Sequence, residues 1–460
     1  MRSYKTKDCV TRKGLGVTVL LWLTLVFSST ATVQATEAEA VLIHAARLFD
    51  GHQMRTNTSV LIEAGRITRV DLRDKFVDSN VRQINLGDAT LLPGFIELHA
   101  HLGYRDVPAE VVLSHGITTL RDVGGPLHKP YGGDGSLRVL TSGPIITGPN
   151  GYPIPKIGTH NIAIPVATED EARKTVRDLI AGGAVVIKIA LEPGGEKGAP
   201  WSGGHHHPGH QMPHAKHAKG SHADDQHKSD HHKPDHHKPD HHKPDHHKPD
   251  HHSGHAQKDH APHNKQHGKP SWPLLSENIV KAIVDEAHQQ GRKVTAHIGE
   301  EIGAKLALDA GVDEWAHMPC AAIPESLLQQ AVAQKVTIVT TIDTLSKCEG
   351  VAQNAKTFGA LGAELLYGAE IAHPDIPWGI DVQELMYMMQ MTGMQTIDVL
   401  RAATSKSGAY LGIPQLGTLA QGAPADMIAI KGNPLHSLKA LEYPGLVISG
   451  GKVVVNRFNQ

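Results

Sequence analysis

The chain is poor in cysteine, has no excess of either charge, and has only one long apolar run, close to its start. Three cysteines in 460 residues cannot form a disulfide scaffold, and one of them, Cys9, falls in the N-terminal leader. That leaves Cys320 and Cys348, either as one disulfide or as two free thiols. A formal charge of −2 argues against a general nucleic-acid binder, although 34 histidines would turn the chain strongly basic in mildly acidic medium. Beyond the leader no stretch approaches the roughly 18 unbroken apolar residues of a membrane span, so no stable membrane insertion is expected. A glycine-rich dinucleotide fingerprint after the first strand of the central region is also missing, which weighs against a doubly wound open sheet.

The leader itself is legible. Lys5, Lys7, Arg12 and Lys13 precede an apolar run of 13 residues, Leu15 to Phe27, and Val33-Gln34-Ala35 offers small residues for cleavage. Residues 1–35 therefore read as an export signal, and the mature protein is expected in the periplasm or outside the cell.

Residues 202–268 differ from everything around them. They hold 22 of the 34 histidines, and from Asp230 the unit DHHKP repeats four times before a fifth start at Asp250-His251-His252. A proline every five residues prevents a long helix and nothing here builds a core, so a disordered insertion is expected. The paired imidazoles His231, His232, His236, His237, His241, His242, His246, His247, His251 and His252, with neighbouring aspartates, suit reversible binding of zinc, copper or nickel. A solvated polar insertion grown by repeat expansion is the plainer alternative.

Without leader and insertion about 360 residues remain, enough for one large barrel and a small accessory domain. Residues 36–92 and 416–460 carry short apolar strands broken by Gly, Asp and Asn, and are expected to build one small β-sandwich from both chain ends. Between them, residues 93–415 alternate strand and helix. Eight apolar stretches qualify as strands: FIELHAH, ITTLRDVG, RVLTSG, AVVIKIAL, KVTAHI, EWAHM, VTIVTT and ELLYGAE. Eight strands with crossover helices imply an α/β fold, a (β/α)8 TIM barrel. Thr168-Glu169-Asp170-Glu171 opens one helix with a capping-box pattern, and another is expected from Ser276 to His288 with Gly291 in its C-terminal turn.

Catalytic groups in such a barrel sit where strands end and loops begin. His99 and His101 share one side of the first strand, since residues i and i+2 point the same way. Lys188 lies in the fourth strand, His297 and His317 end the fifth and sixth, and Glu370 ends the eighth. Any one of the later histidines alone would be ordinary. A lysine inside a buried strand is not, because a lone buried ammonium must be paired, neutralised or modified. Tyr104, just after the histidine pair, and Arg121-Asp122, at the end of the second strand, are candidates for substrate contact or for bracing loops.

These residues resemble the metal-dependent amidohydrolase superfamily, in particular its prolidase-like and imidazolonepropionase-related members. The motifs LLPGFIELHAHLG, GITTLRDVGG, VVIKIA, VTAHIGE, EWAHM and LRAATSKSGAYLGI carry the likeness from about residue 40 to the end, outside the His-rich block. The resemblance implies two divalent cations, usually zinc, bridged by Lys188 carboxylated with CO2 to a carbamate. His99, His101 and the strand-8 acid would hold one ion, and His297 and His317 the other. It further implies hydrolysis of an amide-like C–N bond in a small molecule: a dipeptide, an N-acyl amino acid or a cyclic amide. In one respect the chain departs from the pattern. The family usually ends its eighth strand on an Asp in a GTD-like triplet, and here the triplet is Gly368-Ala369-Glu370. Either Glu370 does the same work from a shifted backbone, or Asp375 or Asp381 takes part, or activity is reduced. A lactonase or other C–O hydrolase, and a metal-buffering protein on a retired hydrolase scaffold, are the alternatives.

Overall fold

The computed structural model describes residues 40–76, 81–201 and 271–458. The leader, the His-rich block and its ten named histidines lie outside the described residues.

Both chain ends enter one sheet. Strands Val41–Phe49, Met54–Glu63, Arg66–Leu72, Arg82–Asn85 and Ala89–Pro93 pair with Met427–Lys431, Leu446–Ser449 and Lys452–Asn456 in a single eight-stranded ladder. The join is antiparallel pairing of Ala89–Pro93 with Met427–Lys431. The sheet curls round its own apolar cluster, which includes Ile43, Val60, Ile67, Met427 and Ile448. Ile67 N–H donates to Ala423 O at 3.0 Å and Gly422 N–H to Ile67 O at 2.7 Å, tying its far edge back to the segment before Met427. Other residues of this sheet, among them Phe49, Leu92, Ile428, Ile430 and Val447, join the core of the larger α/β region.

In the α/β region each of the eight expected stretches contains a parallel strand: β1 (Phe95–Ala100), β2 (Ile117–Asp122), β3 (Arg138–Thr141), β4 (Ile187–Ala190), β5 (Val294–His297), β6 (Glu314–Trp315), β7 (Thr337–Val339) and β8 (Glu364–Leu366). Two further three-residue strands, Ile145–Thr147 and Ala163–Pro165, follow β3. The ladders fall into two groups, β1-β2-β3 and a second sheet running from Ala163–Pro165 and Ile145–Thr147 through β4 to β8. Individual hydrogen bonds cross both seams. Val185 N–H reaches Thr141 O at 2.9 Å, and His101 N–H reaches Ile371 O, also at 2.9 Å. The first seam coincides with Gly143, whose left-handed φ of 69° turns the chain out of β3.

The strands are short and almost wholly buried, and polar residues such as Glu97, Thr119, Lys188 and Glu314 lie inside them. Helices cover the outside. Glu277–Gln289 starts at Ser276, whose hydroxyl accepts from Ile279 N–H, and turns its stripe of Ile279, Val280, Ile283, Val284 and Ala287 to the core. Thr168 caps Glu169–Gly182 by accepting from Glu171 N–H at 3.2 Å, while the Glu171 carboxylate takes Ala167 N–H. Among the described residues no helix is long and apolar enough to cross a membrane.

Candidate metal centre

The HxH pair is delivered by β1. Glu97, fully buried on the same strand, accepts from His99 N–H at 2.7 Å and from Ala369 N–H at 2.9 Å, so one carboxylate ties the end of β1 to the chain after β8. Gly368 makes that approach feasible: a Cβ there would stand 2.4 Å from Val339 Cγ1 and 3.1 Å from His99 Cβ. Burial drives the Glu97 carboxyl well above its usual range, against the pull of its two backbone donors.

Four imidazoles follow one another in space. His99 and His101 stand 3.2 Å apart at their Nε2 atoms, and the rings of His99 and His317, and of His317 and His297, lie 4.5 Å apart between centroids. His99 Nδ1 is 2.7 Å from Ala316 O, which makes Nδ1 the donor and leaves the Nε2 lone pair free. His317 Nδ1 is held by Thr341 Oγ1 at 2.8 Å, leaving its Nε2. Burial lowers all four well below the normal imidazole range, and the Lys188 ammonium is close enough to disfavour protonation of each.

Lys188 is 1% exposed, and its Nζ has no hydrogen-bond partner. Burial brings its amine down to about 7, although Glu314 and Glu370 pull the other way. Glu370 completes the cluster. Its Oε1 is 3.8 Å from His101 Nε2 and its Oε2 3.9 Å from His317 Nδ1. Burial raises its carboxyl to about 7, opposed by Lys188. Its backbone is left-handed, φ 67°, which is uncommon for a residue with a side chain and aims the carboxylate back over the strand ends.

The donors suit divalent cations. Atoms of His99, His317 and Glu370 lie within 4.8 Å of one another, a spacing one ion could bridge. Lys188 Nζ, His101 Nδ1, His297 Nε2 and Glu370 Oε2 are all buried without a hydrogen-bond partner. So many orphaned polar atoms in one place are costly unless a further group satisfies them.

Other expected residues land elsewhere. Arg121 does not face a substrate: its Nη atoms fork onto Glu314 at 3.0 and 2.6 Å and its Nε donates to Leu98 O. The side chain turns into the strand interior, where each of its three nitrogens is engaged, so it takes the bracing role. Asp122 takes Leu102 N–H and is pushed up to about 7 by burial, so it braces the loop behind His101. Tyr104 stacks on His101, 4.3 Å between ring centres and 7° from parallel. Asp375 is a surface partner of Lys347, and Asp381 caps the helix Val382–Thr392 through Gln383 N–H, so neither replaces Glu370. Cys320 and Cys348 form a disulfide between the loops after β6 and β7, with Cα atoms 5.0 Å apart.

Several neighbours of the cluster were not anticipated. Glu192, just past β4, puts Oε2 3.3 Å from His297 Nε2. Tyr152 and Trp201 pack on the same ring at 4.7 and 4.5 Å, and Trp272 stacks on Tyr152. The two tryptophans flank the His-rich block, so both stems of that insertion meet beside His297. His373 is half-buried with Nδ1 unpartnered, close enough to His101 and His317 to bear on their protonation. The strand-end rule had no means of finding these residues, because all lie in loops. The acidic LEPGGE and the aromatic residues at the edges of the insertion were the available signals.

Known proteins share this fold. Residues 257–454 match the amidohydrolase family. Ochratoxinase of Aspergillus niger is 28% identical over 207 residues, 40% of this chain, and the match spans 42% of that enzyme's length. A Xaa-Pro dipeptidase with bound methionine superposes with a TM-score of 0.62 at 20% identity, covering 90% of this chain and 99% of its own. A putative prolidase from Bifidobacterium longum superposes at 0.65 with 21% identity, covering 91% and 95%. Within residues 257–454 the chain is similar to an amidohydrolase family domain.

Proposed function

We propose that this protein is an exported, metal-dependent hydrolase of amide-like C–N bonds in small molecules, acting from the end of a closed (β/α)8 barrel. The observation that carries the reading is the meeting of four buried imidazoles, an unpartnered lysine and a carboxyl in one cluster. The neighbours' names, prolidase and ochratoxinase, support the same reaction class.

His99, His101 and Glu370 would hold one divalent cation, and His297 and His317 the other, with zinc the expected metal. Lys188 would bridge them as a carbamate. With its amine near 7 part of the population is unprotonated at neutral pH and would form an N–C bond to CO2 with release of one proton. Two bound cations would supply the charge that acidifies water and polarises a carbonyl. Glu370 would take a proton from the attacking water and return it to the leaving nitrogen as the C–N bond breaks. His99 and His317 keep their free nitrogens turned to the centre through the backbone and threonine contacts on their other side. The His-rich block would gather scarce metal for the centre.

The test is a substrate screen of the zinc-loaded mature protein, with metal content measured on the same sample. The panel holds Xaa-Pro dipeptides, N-acyl amino acids, cyclic amides, and lactones or esters. Two tightly held ions with amide turnover is the expected result. Turnover of lactones alone would make it a C–O hydrolase. Many weakly held ions and no turnover would make it a metal buffer, the reading that the Asp-to-Glu change at residue 370 favours. Deleting residues 202–268 should abolish loading only when metal is scarce; loss of catalysis in excess zinc would overturn the feeder role.

A further inference from the structure

We infer that the Cys320–Cys348 disulfide clamps one wall of the metal centre: it fixes the surface on which Glu196–Trp201 is seated, so that tight retention of metal depends on the oxidised pair. The inference rests on the metal-centre reading and goes beyond it.

Clamp and wall meet along one short line. The segment from Glu196 to Trp201 runs from β4 toward the His-rich block and folds onto the chain beside the disulfide. Cys320 Sγ stands 3.8 Å from Lys197 O. The Lys197 ammonium pairs with the carboxylate of Glu349, the residue after Cys348. Gly198 lies so close to the same loop that a Cβ would stand 2.0 Å from Lys347 O and 3.0 Å from Cys348 Cα. Its φ of 88° is left-handed, so space and backbone both call for glycine there. Residues 347–349 therefore carry residues 197 and 198.

From that seat the chain reaches the histidines. Trp201 is buried, and its indole lies 4.5 Å from the His297 ring and 6.1 Å from that of His317. Its Nε1–H donates to Glu196 at 2.9 Å, which locks the ring to the start of its own segment. Gly299, two residues after His297, leaves room for it: a Cβ there would stand 3.2 Å from Trp201 Cζ2. An aromatic ring packed on a ligand imidazole shuts water out of that side, and the apolar surround of a metal site governs solvent access to it.

The surrounding fold is held without the bond. Asn354 Nδ2 donates to Pro319 O at 2.9 Å and Ala321 O at 2.8 Å, and its Oδ1 accepts from Ile323 N–H. Gly350 N–H donates to Cys320 O at 2.8 Å. Reduction by a dithiol breaks the S–S bond, delivers two electrons and two protons to make two thiols, and leaves the reductant as its own disulfide. Two thiol sulfurs sit about 1.5 Å further apart than bonded ones. With the loop after β6 held by Asn354, that movement falls on residues 347–349 and on the segment resting there.

The experiment uses the full mature chain loaded with zinc and freed of weakly held ions by gel filtration. Excess chromophoric chelator reads zinc release, and circular dichroism confirms that each variant is folded. Wild type in oxidising buffer should release two ions slowly. Cys320→Ser/Cys348→Ser should release at least one of them on the order of 10-fold faster. Wild type reduced by a dithiol, with its free thiols counted, then desalted and reloaded, should match that rate. The same treatment should leave the serine variant unchanged, which controls for zinc held by the dithiol. Trp201→Ala should speed the same release, and adding the serine pair to it should change the rate by less than about 2-fold, because both act through one indole. A bond that only stabilised the fold would lower the melting temperature and leave release alone. Should the serine variant fail to fold, Gly198→Ala takes its place: it keeps the disulfide, drives the segment off Lys347 and should release zinc faster. Wild-type release from the serine variant, from the reduced protein, or from Gly198→Ala when that is the variant measured, would overturn the clamp, as would additive effects with Trp201→Ala. A wild type that binds no zinc would instead overturn the metal-centre reading beneath it.

Discussion

Replacing Arg121 by Met tests whether the strand interior beneath Lys188 is organised as described. The guanidinium and Glu314 are both essentially unexposed and share a bidentate contact at 2.6 and 3.0 Å. Without Arg121 the carboxylate keeps the Thr295 hydroxyl, 2.6 Å away. Removing one side of a buried pair costs about 3–5 kcal/mol, because the remaining charge is stranded. At roughly 2–4 °C per kcal/mol for a domain of this size, the melting temperature should fall by about 10 °C. Replacing both residues, Arg121→Met with Glu314→Leu, removes the stranded charge and should recover most of the loss. A second effect follows from Lys188. Arg121 disfavours its ammonium and Glu314 favours it, so the single variant should protonate Lys188 more readily and bind metal less well at pH 7. Urea unfolding of the metal-free protein measures the first effect and chelator competition the second. An Arg121→Met protein within about 1 kcal/mol of wild type, or a double variant as unstable as the single one, would refute the reasoning.

Two other outcomes can be checked with the same preparations. Burial pushes the Glu384 carboxyl up to about 8 from an ordinary value near 4.5, so the folded state holds a proton there that the unfolded chain has released. Its contribution is complete below pH 4.5 and is lost as pH rises through about 8; Glu384→Gln should flatten that slope in unfolding measured from pH 5 to 9. The Cys320–Cys348 link closes a span of 28 residues, worth about 3–4 kcal/mol to the folded state on loop entropy. Cys320→Ser/Cys348→Ser should melt lower than wild type under oxidising conditions and match it under reducing ones.

The parallel strands were legible because each apolar run is short, sits between turn residues and alternates with a helical stretch. The histidines and Lys188 were legible because strand ends are where this architecture gathers polar groups. Arg121 satisfied the same rule and belongs to a different set of contacts, because its partner Glu314 lies 193 residues away and no local pattern announces it. The strands Ile145–Thr147 and Ala163–Pro165 are three residues each, too short for alternation to register. Glu192 and Trp201 sit in a glycine- and proline-rich stretch that reads as connection, and only the return of the chain at Trp272 gives that stretch a place beside His297. The cysteine pairing also needed the fold, since sequence spacing says nothing about whether two Cα atoms come within bridging distance.

Glu370 is where sequence and structure bear on each other most directly. Against the family's usual Asp, a glutamate reaches about 1.5 Å further, and misplacements near 1 Å cost on the order of 100-fold in positioned catalysis. On an unchanged backbone the extra methylene would push the carboxylate into the histidines. Here the residue lies at φ 67° and Ala372 at φ 95°, two left-handed positions within three residues. Ala369 N–H is clamped by Glu97 from below. Even so, the Glu370 oxygens stand 3.8 and 3.9 Å from His101 and His317, at the outer limit of contact and not pressed against them. Backbone and side chain are therefore matched to each other. Restoring the family's residue by Glu370→Asp should withdraw the carboxylate by about one methylene and lower kcat by 10-fold or more, with KM less affected. Glu370→Gln should lose turnover more completely, because its amide cannot carry the proton. If Glu370→Asp proved as fast as wild type or faster, the backbone would not have adapted to glutamate, and the substitution would mark a centre drifting away from catalysis.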